Sequence, residues 1–96
     1  MENYFYISLN IKTFSGIDSY ATYNIGGNRE KANQIFSQLR GSRTLSDRTV
    51  LTMDLTQIND GIPFPIQMLG CTFEEVAYNT KVITREIFKS LNLEEE

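Results

Sequence analysis

Ninety-six residues with 41% hydrophobic and 22% charged side chains are enough for one domain around one modest core. A net charge of −3, a single cysteine and no histidine exclude an intrachain disulfide and the usual zinc ligand sets. No segment approaches the ~18 uninterrupted apolar residues of a membrane span, and MENYFYISLNIK has no basic region ahead of an apolar run. The expectation is a cytoplasmic protein with no membrane contact, metal or cofactor.

The chain begins with alternation. In YFYISLNIK, Phe5, Ile7, Leu9 and Ile11 share one face and Tyr4, Tyr6, Ser8, Asn10 and Lys12 the other. SYATYNI alternates again, with Ala21, Tyr23 and Ile25 on one side and Tyr20, Thr22 and Asn24 on the other. A three-residue loop, Ser15-Gly16-Ile17, would set Ile11 against Ala21 and Leu9 against Tyr23, joining the apolar faces in a hairpin. Asn28 then precedes REKANQIFSQLRG, where Ala32, Ile35, Phe36 and Leu39 fall on one helical face. Gly41 is placed to end that helix, with Arg40 at the negative end of its dipole.

GSRTLSDR is a polar connector, after which TVLTMDLTQI sets Leu51, Met53 and Leu55 on one face of a third strand. Asp60-Gly61 is the strongest short hairpin signal in the chain. A two-residue turn there pairs Asn59 with Ile62, Gln57 with Phe64, Leu55 with Ile66 and Met53 with Met68. In that register residues 63 and 65 direct their backbone nitrogens away from strand three. Pro63 and Pro65 then cost no hairpin bond and mark the fourth strand as a guarded edge.

TFEE opens the last helix as a capping box, Thr72 with Glu75. Its apolar stripe reads Phe73, Val76, Ala77, Thr80, Ile83, Thr84, Ile87 and Leu91, with Phe88 at the border and an acidic tail at 92–96. Tyr78, Val82, Arg85 and Lys89 fall on the opposite side. The whole is ββαββα, with units at about 4–41 and 49–91 in one domain covering 1–96. The predicted class is α+β, a two-layer fold with a four-stranded, mainly antiparallel sheet and two helices on one face. Strand order 2-1-3-4 places the longest apolar strand centrally; order 1-2-3-4 stays open.

Three segments, YFYISLNIKT, G-NREKAN-IF-QLRG and CTFEE…ITREIFKSLNLEE, give the chain its resemblance to a family of small uncharacterised bacterial proteins of similar length. The resemblance spans nearly the whole chain and implies one complete domain. The family has no assigned activity, so it implies no site residues.

Cys71 lies just before a helix N-terminus, where a thiol pKa can fall, but neither histidine nor a CxxC partner equips it for catalysis. Asp54, Asp60, Glu74 and Glu75 form no recognisable catalytic pair. The turn Ile25–Arg29 lacks the spacing of a phosphate loop. Arg29, Lys31, Arg40, Arg43 and Arg48 outnumber Glu30 and Asp47, so residues 29–48 carry +3 and the rest of the chain −6. That region is a candidate for nucleic-acid or phosphate-ligand binding, against the plainer reading of a solvated helix and loop.

Helices on one side of the sheet leave Tyr4, Tyr6 and Tyr20, with Val50, Leu69 and Cys71, on its uncovered side. Aromatics there can stack bases, but Lys12 is the only strand-borne cation beside them and Asp54 shares the face. Tyrosine equally suits a protein interface. The expected function is therefore a non-enzymatic interaction or accessory domain that self-associates, as a homodimer, or binds another protein. Anion binding through residues 29–48 and a small thiol enzyme using Cys71 are the alternatives.

Overall fold

A computed structural model describes residues 3–90, without the side chain of Ser90; Leu91 and the acidic tail at 92–96 lie outside the described residues. The elements are β1 (Asn3–Thr13), β2 (Gly16–Gly26), α1 (Arg29–Ser37), β3 (Leu51–Asn59), β4 (Ile62–Cys71) and α2 (Phe73–Ser90). All strand neighbours are antiparallel, in the order β2-β1-β3-β4. Both helices pack on one face, and Phe5, Ile7, Ile35, Phe36, Met53, Leu55 and Ile83 fill the space between the layers. The predicted two-layer α+β fold is the observed one.

Both hairpins depart from their expected register, the first from its turn onward and the second at a bulge. The first turn is the two-residue Phe14-Ser15, because the Thr13 hydroxyl accepts from the Ser15 N–H (3.2 Å) and lies 3.1 Å from the Gly16 carbonyl. Thr13 therefore pairs with Gly16 and Ile11 with Asp18, not with Ala21. Continued unchanged, that register would turn Ala21 and Tyr23 away from the helices. A bulge at Tyr20 reverses the parity, setting Leu9 opposite Ala21 and Ile7 opposite Tyr23; Ile25 follows on the same buried face, and a second bulge there sets Gly26 opposite Phe5.

The second hairpin has the turn its Asp-Gly predicts, with positive φ at Asp60 (55°) and Gly61 (82°). Asn59 pairs with Ile62 and Gln57 with Phe64 as expected. A bulge at Ile66 then sets Leu55 against Gln67 and Met53 against Leu69. The change turns Leu69 (4% exposed) and Cys71 toward the helices, so neither belongs to the uncovered face as their alternation predicts. It also turns Gly70 outward, where a Cβ would stand 3.0 Å from Leu45 and Thr49 side-chain carbons of the connector.

Pro63 and Pro65 do lie on an edge strand. Beyond them that edge is covered by the connector, where Ser42 and Gly70 exchange two backbone bonds of 2.8 Å. Gly41 permits the approach, since a Cβ there would come within 2.8 Å of the Gly70 carbonyl.

The helices differ from expectation in length and in rotation. Asn28 caps α1 by accepting the Lys31 N–H at 2.9 Å, as its position predicts. The helix ends at Ser37 with Gln38 as its C-cap, short of Gly41. Gln38 and Leu39 donate to carbonyls three residues back, tightening the last turn. Arg40 then leaves the helix because Asn79 captures it. The Asn79 side chain accepts the Arg40 N–H and donates to the Arg40 carbonyl, both at 2.8 Å.

That amide is wholly buried, so α2 is rolled roughly a quarter turn from the stripe its apolar residues predict. Val82 (2% exposed) and Tyr78 face the core side, while Phe73, Ala77, Thr84 and Phe88 face solvent. The capping box is present as expected: the Thr72 N–H donates to Glu75 Oε1 (2.9 Å) and the Glu75 N–H to Thr72 Oγ1 (3.1 Å).

Asn79→Ala leaves both Arg40 backbone groups without their partner and should destabilise the fold by about 1–3 kcal/mol in equilibrium denaturation. Asn79→Asp should also destabilise it, since a carboxylate accepts from the N–H but donates nothing to the carbonyl. A stability equal to wild type in either variant contradicts the clamp.

Candidate interaction surface

Register assigns the uncovered face row by row. Tyr4 lies beside Ile58, and Ile58 beside Pro63. The next row runs Asn24, Tyr6, Thr56, Pro65, followed by Thr22, Ser8, Asp54, Met68 and then Ser19, Asn10, Thr52, Gly70. Apolar side chains therefore gather at the Tyr4 end and polar ones toward the middle.

Tyr4 and Tyr6 share this surface as expected, each half-buried. Tyr20 does not join them. It is 63% exposed in the β2 bulge beside Asn10, four residues along β1 from Tyr6, or roughly 13 Å at 3.3 Å per residue. Ile58, Pro63, Pro65 and Met68 stand with Tyr4 and Tyr6 instead. By alternation alone the prolines are edge guards whose side chains share one side of β4. The β3 pairing adds that this is the tyrosine side.

The polar middle is a bonded layer. Ser19 Oγ donates to Asn10 Oδ1 at 2.7 Å, and Asn10 Nδ2 reaches Ser8 Oγ at 3.3 Å. Ser8, Asn10 and Thr56 are each less than 9% exposed although no helix covers them. Asp54 lies in the same layer with Oδ1 buried and unpartnered. Burial pushes its carboxyl above the ordinary value of 3.8, against an opposing bond from Thr52.

At the far end the connector closes over the sheet. Lys12 donates its ammonium to the Asp47 carbonyl (3.2 Å) and its N–H to Val50 (2.8 Å). Leu45, Ser46, Thr49 and Val50 roof a cleft of about 230 Å³ over Asn10, Thr52, Asp54 and Met68. The one cation carried by the strands on this face is thus engaged with the chain's own backbone.

The basic residues of 29–48 do not converge. Arg29 bonds Gln57 (2.8 Å) and leans over the Phe5 ring, and Lys31 is half-buried on α1. The Arg40 guanidinium stacks 3.9 Å above the Tyr78 ring. Arg43 bonds Gln67 on β4 (2.9 Å), and Arg48 lies in the connector. The side chains of Arg29, Arg40 and Arg43 engage different elements, so the excess charge of this segment makes no single anion cradle.

Cys71 lines a larger hollow of about 650 Å³ with Gly41, Ser42, Arg48, Phe73 and Glu75. Its sulfur lies 3.6 Å from the Arg40 carbonyl and 3.7 Å from that of Leu69, as a protonated donor. Burial first, then the Glu75 charge, pushes the thiol up to about 11. A thiol so placed is a poor nucleophile at neutral pH. Among the described residues no group of three or more potential metal ligands occurs, and no helix is long and apolar enough to cross a membrane.

Comparison with protein-family models, curated proteins and solved structures finds no match.

Two titrations test this electrostatic picture. A raised folded pKa at Asp54 means stability present below 3.8 and lost as pH rises through the folded value. Asp54→Asn removes that loss, so its stability advantage over wild type should widen as pH rises above about 4. An advantage independent of pH contradicts the buried carboxylate. Alkylation of Cys71 in the native protein should stay slow at neutral pH and accelerate only toward pH 11. A rate already saturated at pH 8 contradicts the assignment.

Proposed function

We propose that this chain is a non-enzymatic protein-interaction domain that pairs with a second copy through the outer face of its sheet. The observation that carries this reading is the apolar end of that face, where Tyr4, Tyr6, Ile58, Pro63 and Pro65 adjoin. The helices pack on the other side of the sheet, and the connector covers the opposite end of this one.

Solvated strand faces usually carry Lys, Glu or Thr, whereas these rows set four rings and Ile58 beside only Asn24 and Thr56. Burying them gains roughly 25 cal/mol per Å² of apolar surface before the entropy of association is subtracted. The edge next to this patch is blocked by Pro63 and Pro65, which favours face-to-face pairing over strand addition. A two-fold axis brings each patch against its equal. The unpaired thiol at Cys71 is in keeping with a reducing, cytoplasmic setting.

Sedimentation equilibrium at tens of micromolar tests the reading. The wild type should measure at least 22 kDa, twice the 11.0 kDa chain, and Tyr6→Glu should lower the measured mass while remaining folded. An 11 kDa wild type, or a mass indifferent to Tyr6→Glu, overturns it.

A further inference from the structure

The roll of α2 exposes a second apolar stripe. Phe73 (82% exposed), Ala77, Thr84 and Phe88 (50% exposed) recur at i, i+4, i+11 and i+15 along the solvent side of one helix. A single exposed ring is ordinary, but four small and aromatic residues in register are a packing seam.

The same surface has a receptacle. Lys81, Thr84, Arg85 and Phe88 occupy i, i+3, i+4 and i+7, the four corners that receive one side chain from a neighbouring helix. With Lys89 they line a groove of about 370 Å³ whose walls are almost entirely hydrocarbon, the charged residues contributing their aliphatic stems.

Charge decides the direction and the occupant. Glu74 is exposed in the first turn, whereas Lys81, Arg85 and Lys89 hold the second half. Glu86 is drawn in beside Arg85 (3.7 Å) and Lys89 (3.5 Å), with its side chain 13% exposed. The exposed charge of the helix therefore runs from negative to positive along its length. A second α2 laid antiparallel puts Glu74 beside the partner's basic half, while a parallel one sets like against like.

We propose that α2 pairs antiparallel with α2 of a second copy, Phe73 of each chain filling the groove between Lys81 and Lys89 of the other. One contact is written twice about a two-fold axis, so the surface is complementary to itself. This contact lies on the helix layer and is independent of the sheet-face reading. Two two-fold contacts on opposite layers use separate surfaces of each copy, so together they stack copies progressively.

Four proteins compared by sedimentation separate the two contacts. Wild-type mass should rise with concentration beyond the 22 kDa dimer. Phe73→Glu and Tyr6→Glu should each stop at 22 kDa, and the double variant should measure 11 kDa. The Phe73 substitution keeps the fold, because the ring is exposed and a carboxylate at the first helical position suits the dipole. Thermal unfolding verifies this. In the Tyr6→Glu background, Glu74→Lys should raise the dissociation constant several-fold, an effect that added salt reduces. If Phe73→Glu leaves the mass of the Tyr6→Glu protein unchanged, the helix contact is overturned whatever the sheet face does. If Tyr6→Glu leaves the mass of the Phe73→Glu protein unchanged, the sheet-face reading falls alone. Binding of α2 to an unrelated helix without self-pairing overturns the choice of a second copy.

Discussion

The carboxamide of Asn79 holds the backbone of Arg40 by both its N–H and its carbonyl, and much of the helix layer follows from that pair of bonds. A primary amide can satisfy a peptide unit reciprocally without titrating, one acceptor and one donor in a single plane. Buried at 0% exposure, it has no water to fall back on, so α2 must present this residue inward. The end of α1, the stacking of Arg40 on Tyr78, and the roll that exposes Phe73 and Phe88 are consistent with that demand. The residue that joins the two helices thus also decides which side of α2 meets solvent.

The sheet obeys a different constraint, the parity of its pleat. Tight turns at Phe14-Ser15 and Asp60-Gly61 start both hairpins in registers that would put part of the apolar pattern on the wrong side. Bulges at Tyr20 and Ile66 each insert one residue and restore the match between pattern and face. The correction at Ile66 has two effects at once. It buries Leu69, and it turns Gly70 outward to receive the connector, a position any larger residue would obstruct.

These two devices leave, among the described residues, one apolar surface on each layer. The thiol is held protonated, the basic side chains are spread over separate elements, and the strand-borne lysine of the open face is tied to the connector. What remains unpaired on opposite layers is apolar: tyrosines framed by prolines on the sheet, and phenylalanines framed by opposite charges on the helix. The proposed self-association rests on that distribution rather than on any motif.

Elements whose cause is local are legible in the amino-acid sequence alone. Whereas the choice of strand order 2-1-3-4 over 1-2-3-4 waits on the distant pairing of β1 with β3, the Asp60-Gly61 turn, the Asn28 cap, the Thr72–Glu75 box and the edge prolines all depend on residues close together or on simple alternation. Tyr4 and Tyr6 stand out as an outer-face pair for the same reason. Tertiary structure decides what depends on partners far apart in the chain. Asn79 looks like a surface polar residue until Arg40, 39 positions away, supplies two backbone bonds for it. Likewise Leu69 belongs to the outer face by uninterrupted alternation and to the core only through a bulge. Periodicity assigns faces by counting residues, but a bulge changes the count and a buried hydrogen bond changes which residues count as core.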